Sequence, residues 1–400
     1  MRPDRSSAAA AASLVGVMFI NMLGFGIIIP LLPFYAQSFD AAPWQIALIF
    51  SAFPIGAFFG EPFWGRLSDR LGRKPLLLST VTGNLLCYLA LAFAPDVLSA
   101  FLIRLVGGAA SGNGAVMQGY IADVTPPELR ARRMSWIGAA ASLGLVVGPS
   151  IGGMFAETHA GPAGFRVPLL IAAGFSATAL VALMLFIQEP RRVREVRPHQ
   201  SRLEALGEVT RHPVIGRLML LTFLVGFGFT GIESVFGLWG EARFGWGPRE
   251  VGWCFAVAGG VSAVTQFFVT GPLSERFGEA RVLAGGMALT VIGCAAQTLS
   301  TGIVMTTALM AVTALGQAVS WPNVGALISR TADPDVQGQV LGLNNAVGAF
   351  ARFVGPLSAG LAFAGISINA PFVMAALVVA PAIALALSAA GRAGISSSRQ

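Results

Sequence analysis

Four ionisable side chains interrupt otherwise apolar stretches of this sequence: Glu61, Arg104, Glu233 and Arg352. A charge in such surroundings is costly, so each is by default a candidate for binding, proton exchange or pairing with an opposite charge. The acids can take up and release a proton, whereas an arginine stays a fixed cation. Arg104 lies 8 residues past Asp96 and Glu233 lies 8 residues before Glu241, which places each about 12 Å inside its stretch at the helical rise. The two are therefore expected at one level of a common cavity. Glu61 lies close to the basic end of its stretch and reads as a gate, a second coupling candidate or a partner of Arg352. Plainer readings stand beside these: Arg104 bonding helix-end carbonyls, and Glu233 as a neutral buried acid.

Two further clusters have spacings with consequences. In Gly65-Arg66-Leu67-Ser68-Asp69-Arg70-Leu71-Gly72-Arg73-Lys74, Asp69 and Arg73 stand four apart, within reach across a helical turn. Gly65 and Gly72 there permit close approach or unusual turn angles. A solvated charged loop is the alternative reading. Gly144, Gly148, Gly152 and Gly153 put small residues on one helix face, with Pro149 to bend it. That face serves either a leak-tight seam or ordinary helix packing. Asn21, Asn113, Gln118, Gln317 and Asn344 are uncharged polar groups that can orient a ligand in an apolar cavity. Phe25, Phe236, Trp239 and Trp321 would wall it, and each of these residues also has a plain packing role open to it.

Enzyme chemistry has little to stand on. Cys87, Cys254 and Cys294 sit in apolar runs without zinc or disulfide spacing. The three histidines, His159, His199 and His212, fall in loops or at a helix edge, and no HExxH or phosphate-binding loop occurs. No cofactor or metal is expected, and without a nucleotide motif the driving force must be an ion gradient.

The elements that would position these residues follow from composition. The chain has 400 residues, 55% hydrophobic and only 11% charged, with a mean hydropathy of +0.72. Soluble domains carry roughly 25% charged residues. A soluble enzyme and a nucleic-acid binder are excluded; a polytopic membrane protein remains. A membrane helix needs about 20 apolar residues. Such runs occur near 12–36, 44–65, 76–94, 98–121, 134–156 and 167–187, then near 214–240, 249–271, 281–299, 303–326, 340–364 and 369–390. Most of the 26 lysines and arginines fall on one side of this arrangement, so the pI of 10.3 is an orientation signal. By the positive-inside rule both termini and a linker at 188–213 are cytoplasmic.

The two groups of six repeat one another. Gly65, Asp69, Arg70 and Gly72 recur as Gly271, Glu275, Arg276 and Gly278; Pro127-Glu128 recurs as Pro334-Asp335; Gly148-Pro149 recurs as Gly355-Pro356, all at an offset of 206 or 207. Duplicated bundles at 1–187 and 214–400 joined by a cytoplasmic linker form a transporter plan.

The 65–74 segment resembles the loop 2–3 signature of the major facilitator superfamily. The Gly144 to Gly153 tract resembles that superfamily's antiporter signature, and Arg104 with Gly108 its fourth-helix arginine motif. The stretch Asn21, Gly24, Pro30 and Pro33 resembles the first helix of its twelve-span drug/proton antiporters. Ile121-Ala122-Asp123 and Arg243-Phe244-Gly245-Trp246 bring the likeness nearest to the tetracycline/proton antiporters. The resemblance implies an all-α fold of twelve membrane helices in two pseudo-symmetric six-helix bundles, with spans 1, 4, 7 and 10 around a central cavity. It also implies that Asp69 faces the start of the eleventh helix, and that Arg73 meets Asp123 in a contact that opens and closes with the cycle. Arg352, as a charge within a span and a possible partner of Glu61, is a further gating candidate. The tetracycline exporters place acids where this chain has Asn21, Cys87 and Leu289, so a different drug or metabolite is expected, and Glu233, in the cavity-lining seventh helix, is expected as the main proton-coupling group.

The expected function is proton-coupled export of an amphiphilic small molecule by alternating access, from a monomer in the cell (inner) membrane with lipid as its surroundings and no nucleic-acid partner. Uptake by proton symport of a sugar or organic acid is the alternative; a membrane enzyme or receptor is the different-class one.

Overall fold

Runs that are apolar on every side satisfy their backbone groups inside lipid by forming helices. The computed structural model describes residues 5–125, 127–189, 213–332 and 337–397, and these are helical with no strand among them. In chain order the helices are α1 (Arg5–Gln37), α2 (Pro43–Leu71), α3 (Arg73–Ala92), α4 (Val97–Ala110), α5 (Asn113–Val124), α6 (Pro127–Phe155) and α7 (Arg166–Phe186). They continue as α8 (Pro213–Phe244), α9 (Pro248–Val264), α10 (Thr270–Phe277), α11 (Glu279–Gln297), α12 (Ile303–Thr331), α13 (Gln337–Gly365) and α14 (Ala370–Ser397). Eleven of the described helical segments are long and apolar enough to cross a membrane.

The fourth run departs from expectation. It was expected to be continuous over 98–121, yet it breaks at Ser111-Gly112 into the shorter α4 and α5. Ser111 turns its hydroxyl back to donate to the Gly108 carbonyl (2.7 Å), a local bond that competes with the helix ladder. The Trp64 ring occupies the space into which a Gly112 side chain would project, and its Nε1 donates to the Ala109 carbonyl at 2.7 Å. Glycine thus serves here to admit a neighbouring ring. The start of α4 is conventional: Asp96 accepts from the backbone N–H (2.7 Å) and hydroxyl (2.8 Å) of Ser99, and these bonds hold its carboxyl below the usual range. In the eighth run a π-helical turn, Thr265–Val269, separates α9 from α10.

The chain forms two compact units, one from Met1–Glu195 with Gly240–Ala256, the other from Val196–Trp239 with Val257–Gln400. The expected linker falls almost wholly outside the described residues, as does the Pro334-Asp335 copy of the repeat. In the first unit α1 packs on α6 and α7, α2 on α4, and α3 on α7, over a core that includes Leu14, Leu77, Val81, Met117 and Ile121. In the second unit α11 packs on α12 and α14, with Ile215, Leu221, Leu283, Met287 and Ile328 in the core.

The repeat is visible as matched close approaches. A Cβ built on Gly148 of α6 would lie 2.7 Å from the Cα of Gly26 in α1. A Cβ built on Gly355 of α13 would lie 2.6 Å from the Phe227 carbonyl and 3.2 Å from the Gly231 nitrogen, both in α8. With no hydrophobic drive between helices in lipid, such small-residue contacts supply the packing energy.

Candidate functional site

The loop signature assembles around Arg73. Its Nη1 lies 2.7 Å from Asp69 Oδ1 near the end of α2, across a Gly72 turn that is not helical, its Nε donates to Asp123 Oδ2 at 2.8 Å, and Nη1 also donates to Ser68 Oγ at 2.6 Å. The guanidinium is mostly covered, whereas Asp69 is half exposed. Gly119 of α5 allows this, because a Cβ there would fall 2.6 Å from Arg73 Cζ. Arg70 is exposed near the end of α2.

The two glycines of the signature differ. Gly72 has φ of 120°, a left-handed-side conformation that a side chain resists, and a Cβ there would lie 3.0 Å from Glu189 Oε1. Gly65 fulfils neither role assigned to it: it lies inside α2, and nothing stands within 4 Å of a built Cβ. Nothing in the sequence around Glu189 signals a part in this network. Its carboxylate accepts from the backbone N–H of Arg73 (2.7 Å) and of Lys74 (2.8 Å), at the start of α3.

The Gly144–Gly153 face presses on backbone. Built Cβ atoms at Gly144 and Gly148 would meet Phe19, Leu23 and Gly26 of α1 at 2.7 to 2.8 Å, Gly152 meets the Ile27 carbonyl, and Gly153 lies against Pro248 and Arg249 at the start of α9. Pro149 sits inside α6 between them. Gly148→Ala should therefore cost roughly 1–3 kcal/mol by overpacking, read as a fall in thermal midpoint. Gly65→Ala, in open space, should leave the midpoint within about 0.5 kcal/mol of the parent. Equal midpoints for the two variants would remove the close-approach argument.

Depth along the helices pointed to Arg104 as the cation at the level of Glu233. The second unit supplies another: Arg352 of α13 lies within electrostatic reach of Glu233 on α8. Distance along a helix axis carries no information about which face a residue occupies, and the face decides the partner. At Gly348, one turn before Arg352, three side chains converge around the missing Cβ: Trp321 (3.3 Å), Arg352 (3.7 Å) and Thr222 (3.7 Å). Trp321 keeps 44% of its surface exposed. Arg104, in the first unit, is buried over the Phe53 ring (4.9 Å) with Cys87 and Tyr88 as its electrostatic neighbours. Its Nε has no hydrogen-bond partner, so it is not engaged with helix-end carbonyls through that atom. Glu61 is exposed on α2.

Several expected ligand groups are committed to the fold. Asn21 accepts from Asn84 Nδ2 (3.2 Å), Gln317 donates to the Val225 carbonyl (3.2 Å), and Asn344 accepts from Thr222 Oγ1 (2.7 Å). Phe236 and Trp239, expected as cavity walls, are core residues: both are fully buried and 5.9 Å apart, Trp239 meets Phe372 at 5.0 Å, and its Nε1 donates to Asn369. Large rings near a helix end stabilise packing as readily as they line a cavity, and sequence does not separate the two. Phe25 is half-buried, 5.3 Å from Phe53; Asn113 is buried at the start of α5 with Oδ1 unpaired; Gln118 is exposed. Among the described residues no group of three or more His, Cys, Asp or Glu is placed to hold a metal.

Comparison with known proteins gives a consistent result. A model of the Major Facilitator Superfamily matches residues 14–247 and 218–397. The chain is 30% identical over 354 residues to the class C tetracycline resistance protein of Escherichia coli, covering 86% of this chain and 87% of that protein. It is 26% identical over 380 residues to multidrug resistance protein 2 of Bacillus subtilis (strain 168), covering 94% and 93%. The crystal structure of the nucleoside transporter NupG superposes with a TM-score of 0.75 over 96% of this chain and 98% of that one; at 15% identity this likeness concerns the fold alone.

Proposed function

Because the chain belongs to the Major Facilitator Superfamily, and is thus a multi-pass membrane transporter of small molecules, we propose that it exports amphiphilic compounds in exchange for protons. The observation that carries this reading is the Gly144–Gly153 face, held against the backbone of α1 and the start of α9. A seam without side-chain gaps limits leakage while substrate and proton pass in opposite directions. Curated relatives named for tetracycline and multidrug resistance support the direction of transport. The six-helix halves are 1–187 and 214–400, joined by a cytoplasmic linker, with both termini cytoplasmic and the protein a monomer in the cell membrane. Glu233 exchanges the proton, Arg352 is its fixed counter-charge, and the exposed face of Trp321 offers an apolar surface to the substrate.

Purified protein in liposomes with an acidic lumen should accumulate one or more of ethidium, chloramphenicol, a fluoroquinolone and tetracycline, and should lose the accumulated compound when the pH gradient is collapsed. Accumulation that needs the opposite gradient would convert the reading to uptake by symport. Transport that ignores the gradient would remove proton coupling.

A further inference from the structure

α3 begins without a cap of its own. Gly72 precedes it and offers no side chain, so the first amides of the helix need an acceptor from elsewhere. Glu189 supplies it with both carboxylate oxygens, one to the N–H of Arg73 and one to the N–H of Lys74. A helix N-terminus favours an anion electrostatically as well as by hydrogen bonding. Two further bonds hold the same strip of chain: Lys74 Nζ donates to the Met184 carbonyl (3.1 Å), and Tyr120 of α5 donates its hydroxyl to the Gln188 carbonyl (2.6 Å). The stretch after α7 is thereby fastened to both α3 and α5.

Arg73 is consequently held at both ends. Its side chain is bound by Asp69, Asp123 and Ser68, and its main chain by Glu189. We propose that Glu189 is a positioning residue that fixes Arg73 in its two-carboxylate bridge, so that the segment leading into the linker is coupled to the gating network. This rests on the reading of the loop signature as a gate. The function needs the second oxygen and the charge of Glu189, because glutamine puts a donor NH2 where one of the two backbone N–H groups needs an acceptor.

Hydrogen–deuterium exchange on the full chain in lipid nanodiscs tests the contact without any substrate. The amides of Arg73 and Lys74 should exchange at least about tenfold faster in Glu189→Gln than in the parent, since about 1.4 kcal/mol corresponds to tenfold, while peptides from α11 and α14 stay unchanged. Ethidium efflux from liposomes supplies the second reading. Glu189→Gln should lower the maximal rate about tenfold with KM within twofold, and should add less than twofold to the loss caused by Arg73→Ala, because both act through one bridge. Unchanged exchange at 73–74 overturns the proposal. So do losses that multiply in the double variant, or a Glu189→Gln protein that fails to fold, since these assign Glu189 to general stability. If the parent protein moves no ethidium, the export reading loses that probe and the exchange measurement still decides the contact.

Discussion

Glu233→Gln should abolish accumulation driven by a pH gradient while leaving substrate counterflow within about twofold of the parent. Glutamine keeps the shape of the side chain and, like the protonated acid, carries one carbonyl acceptor and a donor, but it has no proton to exchange. For one-for-one exchange, a gradient of one pH unit is worth about 1.4 kcal/mol, or a tenfold concentration ratio, and the variant should bring that ratio to about one. The placement of Glu233 motivates this: it stands on α8, in reach of the fixed charge of Arg352 on α13. A carboxyl near a permanent cation is ionised when its surroundings favour the charge and protonated when they do not, and the cycle can move it between the two. A variant that still concentrates substrate with the parent's pH dependence would exclude Glu233, and Glu61 would become the acid to test.

The second large effect is expected at the loop network. Asp69→Asn should lower turnover at least about tenfold, equivalent to about 1.4 kcal/mol on the barrier, with ligand affinity within about twofold. Magnitudes separate this from a folding defect. The Asp69–Arg73 pair is half exposed on its acidic side, and exposed pairs contribute less than about 1 kcal/mol to stability. The thermal midpoint should therefore barely move while the rate collapses, because a charge that biases one conformational state acts on populations and not on the ligand site. Arg73→Ala should slow turnover similarly and cost more stability. It removes a largely covered cation and leaves Asp69, Asp123 and Ser68 Oγ without their shared partner. Asp69→Asn transporting at the parent's rate would show that the network has no part in turnover.

Much of this molecule is legible without coordinates. Membrane helices are specified by length and hydropathy, because lipid leaves the backbone no other way to satisfy its hydrogen bonds. That is why most of the apolar runs, the two groups of six and the repeat of Gly148-Pro149 as Gly355-Pro356 could be read from residue types alone, although the fourth run is two shorter helices. The Asp69–Arg73 contact was legible only in part: the two stand four apart in sequence, but they lie at the end of α2 and the start of α3, and the turn at Gly72 between them is not helical. What depends on angular position or on chain distant in sequence was not legible. Arg352 stands 119 positions from Glu233, and only the packing of α8 with α13 makes it the neighbouring cation. The break at Ser111-Gly112 depends on Trp64 filling the space beside it, and the open surroundings of Gly65 on nothing filling its own. Glu189 was invisible for the same reason. A carboxylate more than a hundred residues from α3 caps that helix only because α7 delivers it there, and the side chain gives no sign in the sequence of which amides it will meet.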